Sequence, residues 1–316
     1  MELVNRIGSR VITIVLISVI IFFMFQIIPG DPVLSKLGSE EMENNPELAQ
    51  KLYEEFNLDK PISYRFKIWV SGIFTGDFGR SFIYNSPVKD LIKDRFKVTL
   101  TLTVFAIILT VIIAIPMGFL NGAVEKRGLG LSLNIFSQLG LAIPSFWLAI
   151  MLIWLFAFKL GIFSTRTTID WNYPLETLKS LVMPVIALSV GNISIIIRYL
   201  NNTISEEKTS EYVTLAKSKG LLNNKILRRH IFINTLIPVV TVLSMVLINL
   251  IMGSILVENV FNIQGIGSLL VGAVRDGDHP VSQAVILFYS VIVVLINLLT
   301  DFLYLLIDPR ISFKKR

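Results

Sequence analysis

With 53% hydrophobic and only 16% charged side chains in 316 residues, the chain is more apolar than a soluble domain, for which about 45–50% and about 25% are typical. Its formal charge of +6 permits contact with lipid or nucleic acid, but the apolar residues gather in long blocks, so the basic excess reads as the loop bias of a membrane protein. The absence of cysteine excludes disulfides and thiolate metal sites.

The first apolar block covers residues 11–28. As a helix it is roughly 27 Å long, enough for a hydrocarbon core of about 30 Å. Arg6 and Arg10 precede it, as in a signal peptide. The run is too long for a typical h-region and no A-x-A site follows, so it reads as a retained first span. Residues 30–97 then mix acids and bases in a long predicted outside loop. Within it, PELAQKLYEEFNLDKP (46–61) predicts a helix with Pro46 near its start and Pro61 beyond its end. YRFKIWVSGIF (64–74) is aromatic and amphipathic, which suits a membrane interface. GDFGRS (76–81) is a turn cluster. The loop reads either as a small folded cap or as a docking surface for an external partner.

Five further apolar blocks follow, at 98–120, 131–158, 181–199, 237–257 and 281–307. The blocks 131–158 and 281–307 are long enough that they must tilt, kink or protrude. Pro116, Pro144 and Pro184 are candidate kinks, because proline removes a backbone donor. Gly118 and Gly122 form a small-xxx-small pair that favours close helix packing. With the N-terminus in the cytoplasm, the inside segments hold Arg6, Arg10, Lys126, Arg127, seven bases from Arg198 to Arg229, and Arg310, Lys314, Lys315 and Arg316. The two short outside loops hold only Lys159, Arg166, Lys179 and Arg275. This is the positive-inside pattern, and it predicts that both termini are cytoplasmic.

Between the fourth and fifth spans, EYVTLAKSKGLLNNKILRRHIFINTLIP (211–238) sits in an inside loop covering 201–236. Tyr212, Leu215, Ala216 and Lys219 recur at i, i+3, i+4 and i+7, predicting one helical face, with Glu211, Thr214 and Ser218 on a second, polar face. Gly220 suits the left-handed position that ends a helix. Asn223 or Asn224 can cap a second short helix, with Ile226, Leu227, Ile231 and Ile233 on its apolar side and Arg228 and Arg229 in water. Pro238 fits the first turn of the next span. The predicted form is helix, sharp bend, helix, membrane.

EYVTLAKSKGL and RRHIFINTLIPVVT resemble the cytoplasmic signature loop of ABC importer permeases, and are most similar to the dipeptide, oligopeptide and nickel branch that begins with a large outside loop. FQIIPGDPV (25–33), GDFGRS, VENVFNIQGIGSLLVGAVRDGDHPV (257–281) and NLLTDFLYLLIDPRI (297–311) resemble further motifs of that family, in the right order, so the resemblance covers nearly the whole chain. It implies an all-α membrane protein of ABC type I importer permease architecture, with six transmembrane helices in one domain over residues 1–316. It implies that Glu211, Tyr212, Leu215, Ala216, Lys219, Gly220 and Leu221 dock into a cleft on an ATP-hydrolysing subunit. The implied partners are a second related permease, two ABC ATPase subunits, an extracytoplasmic substrate-binding protein and membrane lipid, with no nucleic acid. ATP and Mg would be bound by the ATPase subunits, leaving this chain without cofactor, metal or catalytic residue. The implied location is the bacterial cytoplasmic membrane. Peptides are the first expected cargo, nickel or a metal chelate the second. Two departures stand out: Thr214, Leu215 and Ala216 occupy the places of Glu-Ala-Ala in the general signature, and Gln264 stands where proline commonly precedes Gly265.

Three polar positions lie inside predicted spans. Asp301 reads first as a helix-end or interhelical hydrogen bonder and second as a pathway residue, since an acid at mid-bilayer costs about 2.5–3.5 kcal/mol on insertion scales. Asn249 and Asn297 read first as interhelical packing and second as substrate contacts. His230 and His279 fall on predicted opposite sides of the membrane and cannot share a metal. SEEK (205–208) matches S-x-x-K only as so short a pattern does by chance, and neither H-E-x-x-H nor G-x-S-x-G occurs. No G-x-x-x-x-G-K-[ST] occurs either, so an active importer of this plan must borrow its motor. An ion-coupled secondary transporter, the more distant alternative, calls for inverted repeats, broken helices and paired intramembrane acids.

Overall fold

The computed structural model describes residues 2–27, 31–123, 128–165, 167 and 169–307. Pro29 and Gly30 of the first motif, Lys126, Arg127, Arg166, and Arg310, Lys314, Lys315 and Arg316 lie outside the described residues. Among the described residues the structure is helical, with one isolated β-bridge between Arg80 and Pro87. In chain order the helices are α1 (Glu2–Ile27), α2 (Pro32–Leu37), α3 (Ser39–Asn44), α4 (Pro46–Glu55), α5 (Ile62–Thr75), α6 (Val88–Ala123) and α7 (Leu129–Ala142). They continue with α8 (Ser145–Leu152), α9 (Pro174–Glu207), α10 (Glu211–Ser218), α11 (Asn223–Ile226), α12 (Phe232–Val260), α13 (Ile266–Arg275) and α14 (His279–Ile307). Two π-helical segments, Ile153–Lys159 and Leu227–Ile231, extend α8 and precede α12.

Five stretches are long and apolar enough to cross a membrane: Gly8–Ile27, Val88–Ala123, Pro174–Glu207, Pro238–Val260 and His279–Tyr304. The bent pair Leu129–Ala142 with Ser145–Lys159 makes the sixth. Each predicted block is therefore present. α6 and α9 begin well before their apolar blocks, because i→i−4 hydrogen bonding continues through charged residues such as Asp90 and Lys93 that hydropathy discounts.

The third span departs most from a simple rod. α7 and α8 meet at 97°. Ile143 takes φ −89°, ψ 117° and Pro144 takes φ −64°, ψ 140°. Proline pushes the residue before it out of the helical region and has no N–H to pass on, so two consecutive residues leave the helix. The kink expected at Pro144 is thus nearly a right angle. Pro116 and Pro184 remain inside continuous helices.

The helices cluster into two compact units, Met1–Thr99 with Gln264–Val294, and Leu100–Ile263 with Leu295–Arg316. In the first unit, Ile21, Phe25 and Leu287 form a small core with Trp69, Ile73 and Phe78 packed on it. Val33, Ala49 and Leu52 form another between α2 and α4. Asp31 caps α2, accepting from the Val33 N–H at 2.8 Å, and also accepts the Tyr53 hydroxyl. The fully buried Asp278 accepts the Phe82 N–H at 3.1 Å and the Ser81 hydroxyl, tying the turn after α5 to the start of α14. The predicted helix over 46–61 stops at Glu55, and Asn57 adopts φ 56° beyond it. The GDFGRS turn is made by Gly76 and Gly79, at φ 72° and 78°.

The second unit is organised on α9. In α9 67% of the apolar window is buried, against at most 33% in the other continuous spans. Gly118 and Gly122 of α6 lie against Leu200 and Ile204 of α9, where an added Cβ would approach to 2.7 Å. The predicted small-residue pair is therefore a close helix contact. Asn134 Oδ1 accepts from Asn121 at 2.8 Å and Asn201 at 3.2 Å, linking α6, α7 and α9.

Candidate functional site

The segment after α9 builds a bent helical stub. Ser210 is extended at φ −68°, ψ 152°, and its carbonyl accepts from the Val213 and Thr214 N–H groups, which starts α10. Glu211 follows in the first turn, where a negative charge suits the helix dipole. At the other end the Leu221 N–H bonds the Ala216 carbonyl at 3.2 Å and the Gly220 N–H bonds the Lys217 carbonyl at 2.9 Å. With Gly220 at φ +77°, this is a Schellman cap, as the sequence predicts for that glycine.

The face that α10 presents differs in one residue from the prediction. Val213 and Ala216 turn inward, at 1% and 8% exposure, while Leu215 is 57% exposed. Glu211, Leu215 and Lys219 are thus outward, Tyr212 is half-buried, and Ala216 belongs to the packing side. Spacing alone defines two adjacent stripes on so short a helix, and tertiary packing selects the Val213–Ala216 stripe for burial. The Tyr212 hydroxyl donates to the Glu207 carboxylate at the end of α9. Burial, and then that hydrogen bond, hold its pKa above the ordinary tyrosine value. Leu221 is half-buried at the bend, and Leu222 beyond it is exposed.

The second leg runs from α11 through the π-helical segment Leu227–Ile231 directly into α12. Ile226 and Ile231, five residues apart, are 2% and 1% exposed, as a π turn would align them. The wider turn rotates Ile233 outward, correcting its predicted place on the apolar side. Arg228 and Arg229 are exposed, as predicted. Pro238 lies inside α12 rather than in its first turn, because the π segment leaves no break and the helix is already under way at Phe232.

α9 and α12, the helices that leave this stub, also line a cavity of about 200 Å³ in the notch of the α7–α8 bend. Gly140, Gly191 and Gly253 form side-chain-free walls, and Asn192 and Asn249 supply polar groups. A Cβ on Gly140 would stand 2.1 Å from Ser194 Oγ and 3.2 Å from its Cβ, so the close approach of α7 to α9 favours glycine there. Asn192 is only 7% exposed. Its Nδ2 donates to the Leu188 carbonyl at 2.9 Å, while its Oδ1 has no partner among the described residues. An unpaired buried acceptor costs about 1–3 kcal/mol, so the cavity has a built-in preference for a donor. Of the predicted pathway residues, Asn249 reaches this cavity, whereas Asn297 and Asp301, both half-buried on α14, do not line it. Sequence reasoning passed over Asn192, whose one local signal, an amide beside a glycine in an apolar span, is shared with Asn121 beside Gly122.

The sequence matches the family described as binding-protein-dependent transport system inner membrane component over residues 114–313, and its N-terminal counterpart over residues 1–103. It is 34% identical over 314 residues to the dipeptide transport system permease protein DppB of Lactococcus lactis subsp. cremoris, covering 98% of each chain. Identity to the DppB protein of Bacillus subtilis is 32% over 320 residues, covering 99% of this chain and 98% of that one. Identity to the oligopeptide transport system permease protein AppB of the same organism is 30% over 301 residues, covering 94% of each. In fold, the chain is similar to the inward-facing MetNI methionine ABC transporter, with a TM-score of 0.57 at 18% identity, over 69% of this chain and 96% of that one.

Proposed function

This chain belongs to the family of binding-protein-dependent transport system inner membrane components, and on that premise we propose that it is the permease subunit of a peptide importer that receives force through the α10 bend. Peptide cargo is supported by its relatives in Lactococcus lactis and Bacillus subtilis, which are dipeptide and oligopeptide transport system permeases. ATPase and substrate-binding partners accompany permeases of this family. In our reading the full assembly adds a second permease and two ATPase subunits that hold ATP and Mg. Both termini of this chain face the cytoplasm, residues 30–97 lie outside, and 1–316 work as one permease domain.

The observation behind the reading is that the helices leaving the bend are the helices lining the cavity. A helical stub fixed by a Schellman cap transmits displacement better than a flexible loop. A push on the outward residues Glu211, Leu215 and Lys219 displaces the adjoining ends of α9 and α12. Between those helices lie Asn192 and Asn249, whose amides can exchange hydrogen bonds with a peptide backbone in transit.

The test is uptake of labelled tripeptide by proteoliposomes holding this chain with its partner subunits. Leu215→Asp places a charge at an apolar docking contact, and uptake should fall at least about tenfold, equivalent to about 1.4 kcal/mol, with loss of ATPase co-purification. Wild-type uptake by Leu215→Asp, or uptake that persists with a hydrolysis-dead ATPase, would refute the reading. Competition by nickel but not by peptides would reassign the cargo.

A further inference from the structure

A second cavity, about 320 Å³, lies wholly within the first unit and has no part in the transport reading. Its wall is formed by Phe22 and Gln26 of α1, Arg65, Ile68 and Trp69 of α5, and the start of α14 at His279. One apolar span, Gly8–Ile27, ends here, and another, His279–Tyr304, begins here. The cavity therefore sits at the depth where hydrocarbon gives way to headgroups.

Its chemistry is that of an amphiphile site. Phe22 meets Phe66 and Trp69 at ring distances of 5.1 and 5.8 Å, making a rigid apolar wall. The same two helices continue outward with exposed apolar residues: Ile20, Phe23 and Met24 on α1 and Ile68 on α5. Opposite this apolar character stands an uncompensated cation. Arg65 Nη2 donates to Gln26 Oε1 at 2.6 Å, but its Nε is buried without a partner, and no carboxylate among the described residues pairs with it. Other charged groups on the lining are occupied or wet: Asp77 accepts the Gly79 N–H at 3.0 Å, Arg80 donates to the Asn85 carbonyl at 2.7 Å, and Glu55 is exposed. A half-buried guanidinium with its Nε buried and unpaired favours an anion, and its fork suits a phosphate or carboxylate oxygen pair. The nearby acids Glu55 and Asp77 disfavour a multiply charged guest.

From these features we infer that the cavity is a phospholipid site: a singly charged phosphodiester sits on the Arg65 guanidinium and an acyl chain runs along Phe22, Ile68 and Trp69. The depth of the cavity and its open apolar flank favour a lipid over a free peptide carboxylate. A bound lipid would fill the gap between α1 and α5 and hold the α5 layer at the membrane surface.

The experiment uses the full chain purified with its importer partners and stripped of native lipid by detergent. Dioleoyl phosphatidylglycerol is titrated and followed by native mass spectrometry, with the tripeptide Ala-Ala-Phe as a second arm. Wild-type protein should take up one lipid per chain in preference to the bulk annulus. Arg65→Gln should weaken that uptake about tenfold. Ile68→Trp, which fills the apolar side without altering charge, should do the same, so the outcome does not hang on one variant. Arg275→Gln, at an exposed arginine outside the cavity, should bind as wild type does. Equal lipid uptake by all variants, or saturable binding of the tripeptide but not the lipid, would overturn the assignment.

Discussion

Gly220 offers the sharpest test of the bend. Its φ of +77° lies in the left-handed region, and open space surrounds the point where a Cβ would stand, with nothing within 4 Å. A substitution there therefore acts through the backbone alone. The left-handed conformation costs an L-residue about 1–2 kcal/mol, with β-branched side chains at the upper end and asparagine well below. The two cap hydrogen bonds, Leu221 to Ala216 and Gly220 to Lys217, depend on that conformation. Gly220→Val should thus lower the bent population by about 2 kcal/mol, or roughly thirtyfold, Gly220→Ala by about 1 kcal/mol, and Gly220→Asn by less. The assay is the ratio of peptide imported to ATP hydrolysed in proteoliposomes. The expected order is glycine, asparagine, alanine, valine. A valine variant as well coupled as wild type, or an asparagine variant worse than valine, would refute the argument that a fixed bend transmits the force.

Other sites give independent checks. Gly122→Leu forces a side chain into Ile204, whose Cβ an added Cβ would meet at 2.7 Å; overpacking of this kind costs about 1–3 kcal/mol, and the thermal unfolding midpoint of the purified complex should drop accordingly. Gly8→Ala, with open space around it inside α1, should not lower that midpoint and should raise it slightly, because alanine is the better helix former. Asp278→Ala strips the acceptor from the Phe82 N–H and the Ser81 hydroxyl, so the turn after α5 should loosen from α14 by about 2–3 kcal/mol and become sensitive to protease. Burial and the adjoining Asp31 raise the Tyr53 pKa to about 12. A raised pKa means that the fold favours the protonated phenol, so its contribution is whole below pH 10 and lost as pH climbs through 12. Tyrosinate absorbance should show one group titrating near 12 that Tyr53→Phe removes.

The spans and the capped bend were legible because each rests on local physics. Apolar length fixes a membrane helix, and a lone glycine among helix formers fixes a left-handed stop. What escaped was set by contacts between elements. Ala216 and Leu215 have the same claim to burial by spacing, and only the packing of α10 separates them. Ile233 reads as apolar and inward until the π turn before it, invisible to a 3.6-residue period, swings it out. Asn192 is one of several amides in the spans, and only the notch beside Gly140 and Gly253 distinguishes it from the Asn121–Asn134–Asn201 cluster, whose amides bond one another. The Glu207–Tyr212 link joins residues that the sequence places in separate elements.

The broken third span deserves weight against the alternative of an ion-driven carrier, for which broken helices are a usual sign. Backbone that leaves the helix at membrane depth is tolerated only where protein buries it or it lines a cavity. Here Ile143 lines the notch that α9 and α12 close. In an ion-driven carrier such a break brings carbonyls and charged groups together around a coupling ion. Beside this notch the polar groups are neutral amides and a serine, Asn192, Asn249 and Ser145, and the lining holds no acid. Neutral amides match the repeating donors and acceptors of a peptide backbone and give a coupling cation no charge to meet. On the proposed reading the break shapes a passage, the energy comes from a partner ATPase, and the outward face of α10 is the surface that partner would grip. If sodium or proton gradients alone drove uptake in proteoliposomes lacking the ATPase, that division of labour would be wrong, and the notch would have to be reread as an ion site.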